Sequence, residues 1–131
     1  MRNSGSVTAN IPASDLNRAR AFYAEMFGLT PTQEIDGVVL VYRTDGGTDF
    51  TIYATDYAGQ AGHTIAQWHI DDLEGEVRDL QAKGVTFEEY EGMPGVTWDN
   101  GIATIEGMGR AAWFKDSEGN ILSLDTGFPS A

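Results

Sequence analysis

Two apolar periods alternate along this chain. From residue 16 onward, Leu16, Ala19, Phe22, Tyr23, Met26 and Phe27 recur every three or four positions, which places them on one face of a helix. Ser14 or Asp15 stands where an N-cap is needed, Gly28 where a left-handed residue closes a helix, and Pro31 lies beyond. A second stripe, Leu73, Val77 and Leu80, follows Asp71, which with Glu74 resembles a capping box; Gly84 ends it. Elsewhere the period is two. Residues 7–11, 32–35, 38–42, 50–54, 63–70 and 85–90 read as strands. The run Pro12-Ala13-Ser14-Asp15 breaks the first of them, and Asp36-Gly37 and Asp45-Gly46-Gly47 are turn signals.

Residues 110–125 read as a hairpin on which the rest of the chain is organised. Ala112 and Phe114 alternate with Trp113 and Lys115; the turn Asp116-Ser117-Glu118-Gly119-Asn120 follows, and Ile121-Leu122-Ser123-Leu124-Asp125 resumes the alternation. So apolar a hairpin needs more sheet or a helix to pack against. Residues 57–62 are the only linker-like stretch. Residues 91–109 read as irregular, with Trp98 and an Asp99-Asn100-Gly101 turn. That stretch is long for an unstructured loop and has room for a short strand pair.

The two halves repeat one plan. Asp15-Leu16 corresponds to Asp72-Leu73, and Gly28 to Gly84, so each half reads β-α-β-β-β. The expectation is a single α+β domain of two tandem βαβββ modules, about residues 7–55 and 63–126, forming a curved half-barrel sheet.

Composition narrows the chemistry. The 131 residues contain no cysteine, which excludes disulfides and thiolate sites. Twenty acidic against eight basic residues give −12, a balance that argues against nucleic acid and suits either solubility or a cationic partner. The N-terminal stretch carries no long apolar run, so neither a signal peptide nor a membrane span is expected, and a cytoplasmic protein is.

The run Asp15-Leu16…Ala19…Phe22-Tyr23, the Asp116-to-Asn120 turn and the paired modules resemble the vicinal oxygen chelate superfamily, which includes glyoxalase I, extradiol dioxygenases, and fosfomycin- and bleomycin-resistance proteins. The resemblance spans residues 7–126. In metal-binding members it implies four ligands, usually His, Gln or Glu, on the first, fourth, fifth and eighth strands. Carried over by motif spacing, those positions are Thr8, Thr51, Ile65 and Ser123. Isoleucine has no donor atom, and neutral hydroxyls are poor ligands for divalent transition metals. The resemblance therefore points to a metal-free branch, with no cofactor and no metal ligand.

Alternation then sets out what shares the face of the missing ligands: Thr8 and Asn10; Asp49, Thr51 and Tyr53; His63, Ile65, Gln67 and His69; Ile121, Ser123 and Asp125. The opposite faces, with Ile11, Trp68 and Leu124, are apolar enough to meet the helices. The expected ligand-binding set is Thr8, Asn10, Thr51, Tyr53, Gln67, His69, Trp98 and Ser123. His69 is the one weak catalytic candidate, a general base oriented by Asp49 or Asp125, or else a hydrogen-bonded structural residue. Trp98 and Trp113 either stack on a ligand or fill a core or dimer interface. Three functions stay open, the first two being a small-molecule-binding protein, metal-independent and homodimeric, that sequesters a cationic or aromatic compound such as an antibiotic; and a glyoxalase-like lyase or isomerase, or a dioxygenase-related enzyme, acting on a small metabolite. A structural or regulatory dimer without a small ligand is the third possibility.

Overall fold

The computed structural model describes residues 1–127. In the first half β1 (Ala9–Ala13) leads to α1 (Leu16–Phe27), then β2 (Gln33–Ile35), β3 (Val39–Arg43) and β4 (Asp49–Ala54). These strands lie in the order β1-β4-β3-β2, with β1 parallel to β4 and the other pairs antiparallel. The second half runs β5 (Thr64–His69), α2 (Leu73–Ala82), β6 (Phe87–Glu88), β7 (Val96–Asp99), β8 (Ile102–Ile105), β9 (Gly109–Lys115) and β10 (Ile121–Asp125). Its sheet is ordered β5-β10-β9-β8-β7, with β6 on β9 and β5 parallel to β10. Each half thus closes its first strand against its last, with its own helix, in an α+β duplication.

Four local readings are corrected. The first strand occupies Ala9–Ala13 rather than residues 7–11, so Pro12 lies inside it. Proline is tolerated there because β1 ends its sheet and is ladder-bonded on one side only; the Pro12 carbonyl meanwhile accepts a 2.8 Å bond from Asn120 Nδ2. Asp72, not Asp71, caps α2, its carboxylate accepting from the Gly75 N–H at 3.0 Å. Residues 85–90 form only the two-residue β6. Finally, residues 91–109 do hold the short strand pair for which they have room, the β7–β8 hairpin turning at Asn100-Gly101, and it is the strand count that changes: the second half has more strands than β-α-β-β-β. Strands this short, with Trp98 in the middle and Gly92, Gly95, Gly101 and Gly107 around them, are hard to separate from loop by periodicity.

The helices bury the expected stripes. Ala19 and Tyr23 of α1 and Leu73, Val77 and Leu80 of α2 are buried against Ile11, Leu40, Ile52, Phe114 and Leu122 in one continuous core. Phe27, at the end of α1, stacks on Trp68 of β5 with centroids 5.2 Å apart, so the halves share that core. Asp15 caps α1 by accepting from the Arg18 N–H, and Gly28 closes it at φ 66°.

The β9–β10 turn fastens the second half to the first. Tyr23 donates to Asp116 Oδ2 at 2.7 Å. Glu118 accepts from the Asp15 N–H at 3.0 Å and from Arg18 Nε at 2.8 Å. Asn120 Oδ1 accepts from the Gly59 N–H at 3.3 Å. Asp116, Glu118 and Asn120 are all buried, and in each case the polar group has named partners.

Candidate functional site: two cavities along the seam between the sheets

Cross-strand register decides which of the expected site residues meet. Asn10 on β1 pairs with Thr51 on β4, and the Thr51 hydroxyl bonds Asn10 Oδ1. Tyr53 pairs with Pro12 and is 40% exposed. In the second sheet Gln67 pairs with Ser123, and Ser123 in turn with Trp113. Two residues further along, on the same face, His69 meets Asp125, with Nδ1 and Oδ1 2.5 Å apart. Trp98 stands against Trp113 (5.9 Å between centroids) and Tyr90 (6.2 Å), so it sits within an aromatic cluster rather than alone over an opening.

Two expected positions fall elsewhere. Thr8 precedes β1 and is exposed, because the strand begins at Ala9. Ile65 lies where the β5–β10 register shifts: Thr64 pairs with Ile121 and Ala66 with Leu122, and Ile65 packs against the hydrophobic core. The bulge instead brings Thr64 to Trp113, whose Nε1–H donates to its hydroxyl at 3.1 Å. Strict alternation through β5 could not foresee that extra residue.

The larger cavity, about 910 Å3, opens on the helix-facing side, between the C-terminal end of α1, α2 and the β3–β4 turn. Phe50, Trp68 and Leu124 line it, together with Asp45, Asp49, Glu76 and Asp79. Lys83 is also there, held by Asp79 at 3.1 Å. Asp49 is likewise held by Arg43 at 3.1 Å, so the surplus carboxylate of the cleft is Asp45 and Glu76, beside apolar walls. Of the expected binding residues, Gln67 and His69 reach it. Sequence reasoning assigned this face wholly to helix packing, since alternation marks a face as apolar without showing how much of it a helix covers. The signal available was Asp45 and Asp49 flanking a glycine turn, with Glu76 and Asp79 one helical turn apart on α2.

The smaller cavity, about 90 Å3, lies on the inner face of the second sheet and is lined by Gln67, Met108, Ala111, Trp113, Ser123 and Asp125 among others. Ser123 Oγ is buried there without a hydrogen-bond partner. Tyr90, nearby, donates to Glu88 at 2.7 Å; burial first, then that carboxylate, pushes its hydroxyl up to about 12, so it stays protonated at neutral pH.

Metal chemistry of the usual kind does not fit these side chains. Two of the inner-face pairs, Asn10–Thr51 and Gln67–Ser123, offer an amide and a hydroxyl each; the third, His69–Asp125, offers an imidazole and a carboxylate bonded to one another, and no group of three or more His, Asp or Glu able to hold an ion occurs among the described residues.

The profile of the Glyoxalase/Bleomycin resistance protein/Dioxygenase superfamily matches residues 5–124, and the chain belongs to that superfamily. Among solved structures it is similar to the fosfomycin resistance protein FosX from Listeria monocytogenes complexed with Mn(II) and sulfate ion, at 19% identity and TM-score 0.69, covering 96% of this chain and 92% of that one. It is also similar to UcmS2, at 19% identity and TM-score 0.71, covering 97% and 100%. A bleomycin-binding protein complexed with bleomycin matches at 22% identity and TM-score 0.69, covering 95% and 99%. These likenesses establish the glyoxalase/bleomycin-resistance fold. No curated protein sequence matches.

Proposed function

We propose that the protein binds a small molecule without a metal, taking a cationic, aromatic or otherwise apolar compound of the antibiotic kind into the larger cleft. The observation that carries this reading is a cleft of about 910 Å3 with Phe50, Trp68 and Leu124 on its walls and Asp45, Asp49, Glu76 and Asp79 at its polar edge. A net charge of −12 favours encounter with a cation. The donor set favours metal independence, since amides and hydroxyls, on Asn10, Thr51, Gln67 and Ser123, pair across the strands on which the family resemblance expects an ion to be held. The fold shared with a bleomycin-binding protein makes bleomycin the first probe.

The test is titration with bleomycin, mitomycin and simple aromatic amines, read by tryptophan fluorescence and melting temperature, alongside metal analysis of the purified protein. The reading expects a saturable shift that survives EDTA and falls with ionic strength. Stoichiometric Zn, Ni, Fe or Mn, or a panel without any shift, overturns it.

One observation favours the second reading, a glyoxalase-like lyase or isomerase. The His69 ring lines the cleft, and Asp125 fixes its Nδ1 at 2.5 Å, an arrangement that can orient a general base. Unchanged turnover in His69→Ala would remove it. We also propose a homodimer of single-domain chains: Ile35, Val38 and Tyr53 are exposed on one end of the first sheet, and light scattering reads the mass.

A further inference from the structure

The β7–β8 hairpin turns on two residues, Asn100 and Gly101, both with positive φ, 50° and 79°. Such a two-residue turn matches the twist of antiparallel strands, and Asn-Gly is the pair that adopts it at least cost. Residue 101 has a second reason to be glycine, since a Cβ there would lie 2.7 Å from the Cβ of Phe87. This is the one Asn-Gly step in the sequence.

The same pair is chemically vulnerable. With no side chain on residue 101, nothing shields its backbone nitrogen from the asparagine side chain before it. Once that nitrogen loses its proton to hydroxide, it can attack Asn100 Cγ. A C–N bond forms, the Cγ–Nδ2 bond breaks, and Nδ2 takes a proton from water and leaves as ammonia. Water then opens the five-membered imide at either carbonyl, giving aspartate or isoaspartate, with no oxidant or reductant involved.

Asn100 is exposed, yet both reacting groups are engaged elsewhere. Its amide exchanges two bonds with that of Gln81 in α2: Gln81 Nε2 donates to Oδ1 at 3.2 Å, and Nδ2 donates to Gln81 Oε1 at 3.3 Å. The N–H of Gly101, a buried residue, donates to Glu89 Oε2 at 2.9 Å. A carboxylate so close opposes loss of that proton, because it would set two negative charges side by side.

We propose that Asn100 is a deamidation site of this chain, and that Gln81 and Glu89 hold the reaction back by keeping its two reacting groups on separate partners. Conversion would take the donor from Gln81 Oε1 and place a further carboxylate beside Asp99 and Glu89. The hairpin that carries Trp98 would then loosen from α2.

The full chain and a synthetic peptide of residues 96–105 are incubated in the same mildly alkaline buffer, and deamidation of Asn100 is followed by peptide mass mapping. The folded chain is expected to react at least about tenfold more slowly than the peptide, because its hydrogen bonds must open first. Gln81→Ala and Glu89→Gln should each speed the reaction by about threefold or more; the second keeps an acceptor for the Gly101 N–H but removes the charge. Gly59→Ala, which weakens the fold at the β9–β10 turn instead, should stay within about twofold of wild type, and so separates local guarding from global unfolding. A wild-type rate equal to that of the peptide, either guard variant no faster than wild type, or a Gly59→Ala chain as fast as the guard variants overturns the proposal.

Discussion

Tyr23, in the middle of α1, donates its phenolic hydrogen to Asp116 Oδ2 at 2.7 Å, across 93 residues of sequence and with both groups buried. The acceptor is itself organised by the turn that carries it. Asp116 Oδ1 receives the N–H groups of Glu118 and Asn120 at 2.9 Å each, and Oδ2 receives Asn120 Nδ2 at 3.0 Å. Burial first, and then this carboxylate, hold the Tyr23 hydroxyl well above its ordinary range, which keeps it a donor at neutral pH.

Tyr23→Phe is expected to cost about 2 kcal/mol, the value of a buried bond to a charged acceptor, because it leaves an ionised carboxylate short of one partner. Urea denaturation checks it. A loss below about 0.5 kcal/mol would show that Asn120 and the turn amides suffice for Asp116.

The neighbouring carboxylate gives a pH signature. Burial opposes ionisation of Glu118, but hydrogen bonds from Arg18, the Asp15 N–H and Ser117, with the Arg18 charge, outweigh it and hold the carboxyl down at about 2 from an ordinary 4.5. A carboxyl lowered in the folded state contributes its full stability above the unfolded value and loses it as pH falls from about 4.5 towards about 2. The contribution is about 2 kcal/mol once screening of the half-exposed Arg18 is allowed for. Glu118→Gln should flatten the stability curve between those pH values, and an unchanged slope would place the acid sensitivity elsewhere.

Gly59 tests the same fastening from the linker. Its φ of +76° is a left-handed conformation, and a Cβ there would lie 2.5 Å from the Glu118 carbonyl oxygen. That atom belongs to a backbone pinned by Asp116 and cannot step aside cheaply. Gly59→Ala is therefore expected to cost at least about 2 kcal/mol in thermal or chemical melts. Gly62→Ala in the same stretch, with open space at its Cβ, is the control and should be near neutral.

Much of this was legible beforehand, and the failures have physical causes. The helix stripes, the duplication and the importance of the turn around Gly119 follow from period and from residue types with few conformational choices. Asn10 with Thr51, Gln67 with Ser123 and His69 with Asp125 share a face as alternation requires. Ile65 escaped because a single bulge in β5 changes which residue faces inward, and no pattern of side chains announces an extra residue. Thr8 escaped because a family offset fixes a position but not where the ladder begins. The helix-side cleft escaped for a third reason: how far two helices cover a sheet is a tertiary quantity. The partners of Glu118 lie about a hundred residues away, so its role could not be read locally.

Tyr42 gives the sharpest contrast, because the same substitution should act in the opposite sense. Its hydroxyl is buried without a partner, while its ring stacks on Phe50 at 5.0 Å with an 8° tilt and sits 6.0 Å from that of Tyr23. Burial raises its pKa, so the hydroxyl stays neutral and stays desolvated. An unsatisfied buried hydroxyl carries a desolvation cost that is not repaid, and removing it keeps the packing and ends that cost. Tyr42→Phe is expected to be neutral or to stabilise by up to about 1 kcal/mol, whereas Tyr23→Phe destabilises. Measured side by side in urea, the two variants separate hydroxyl from ring. A clear loss of stability in Tyr42→Phe would mean that its hydroxyl has a partner, such as a buried water, and would refute the orphan assignment.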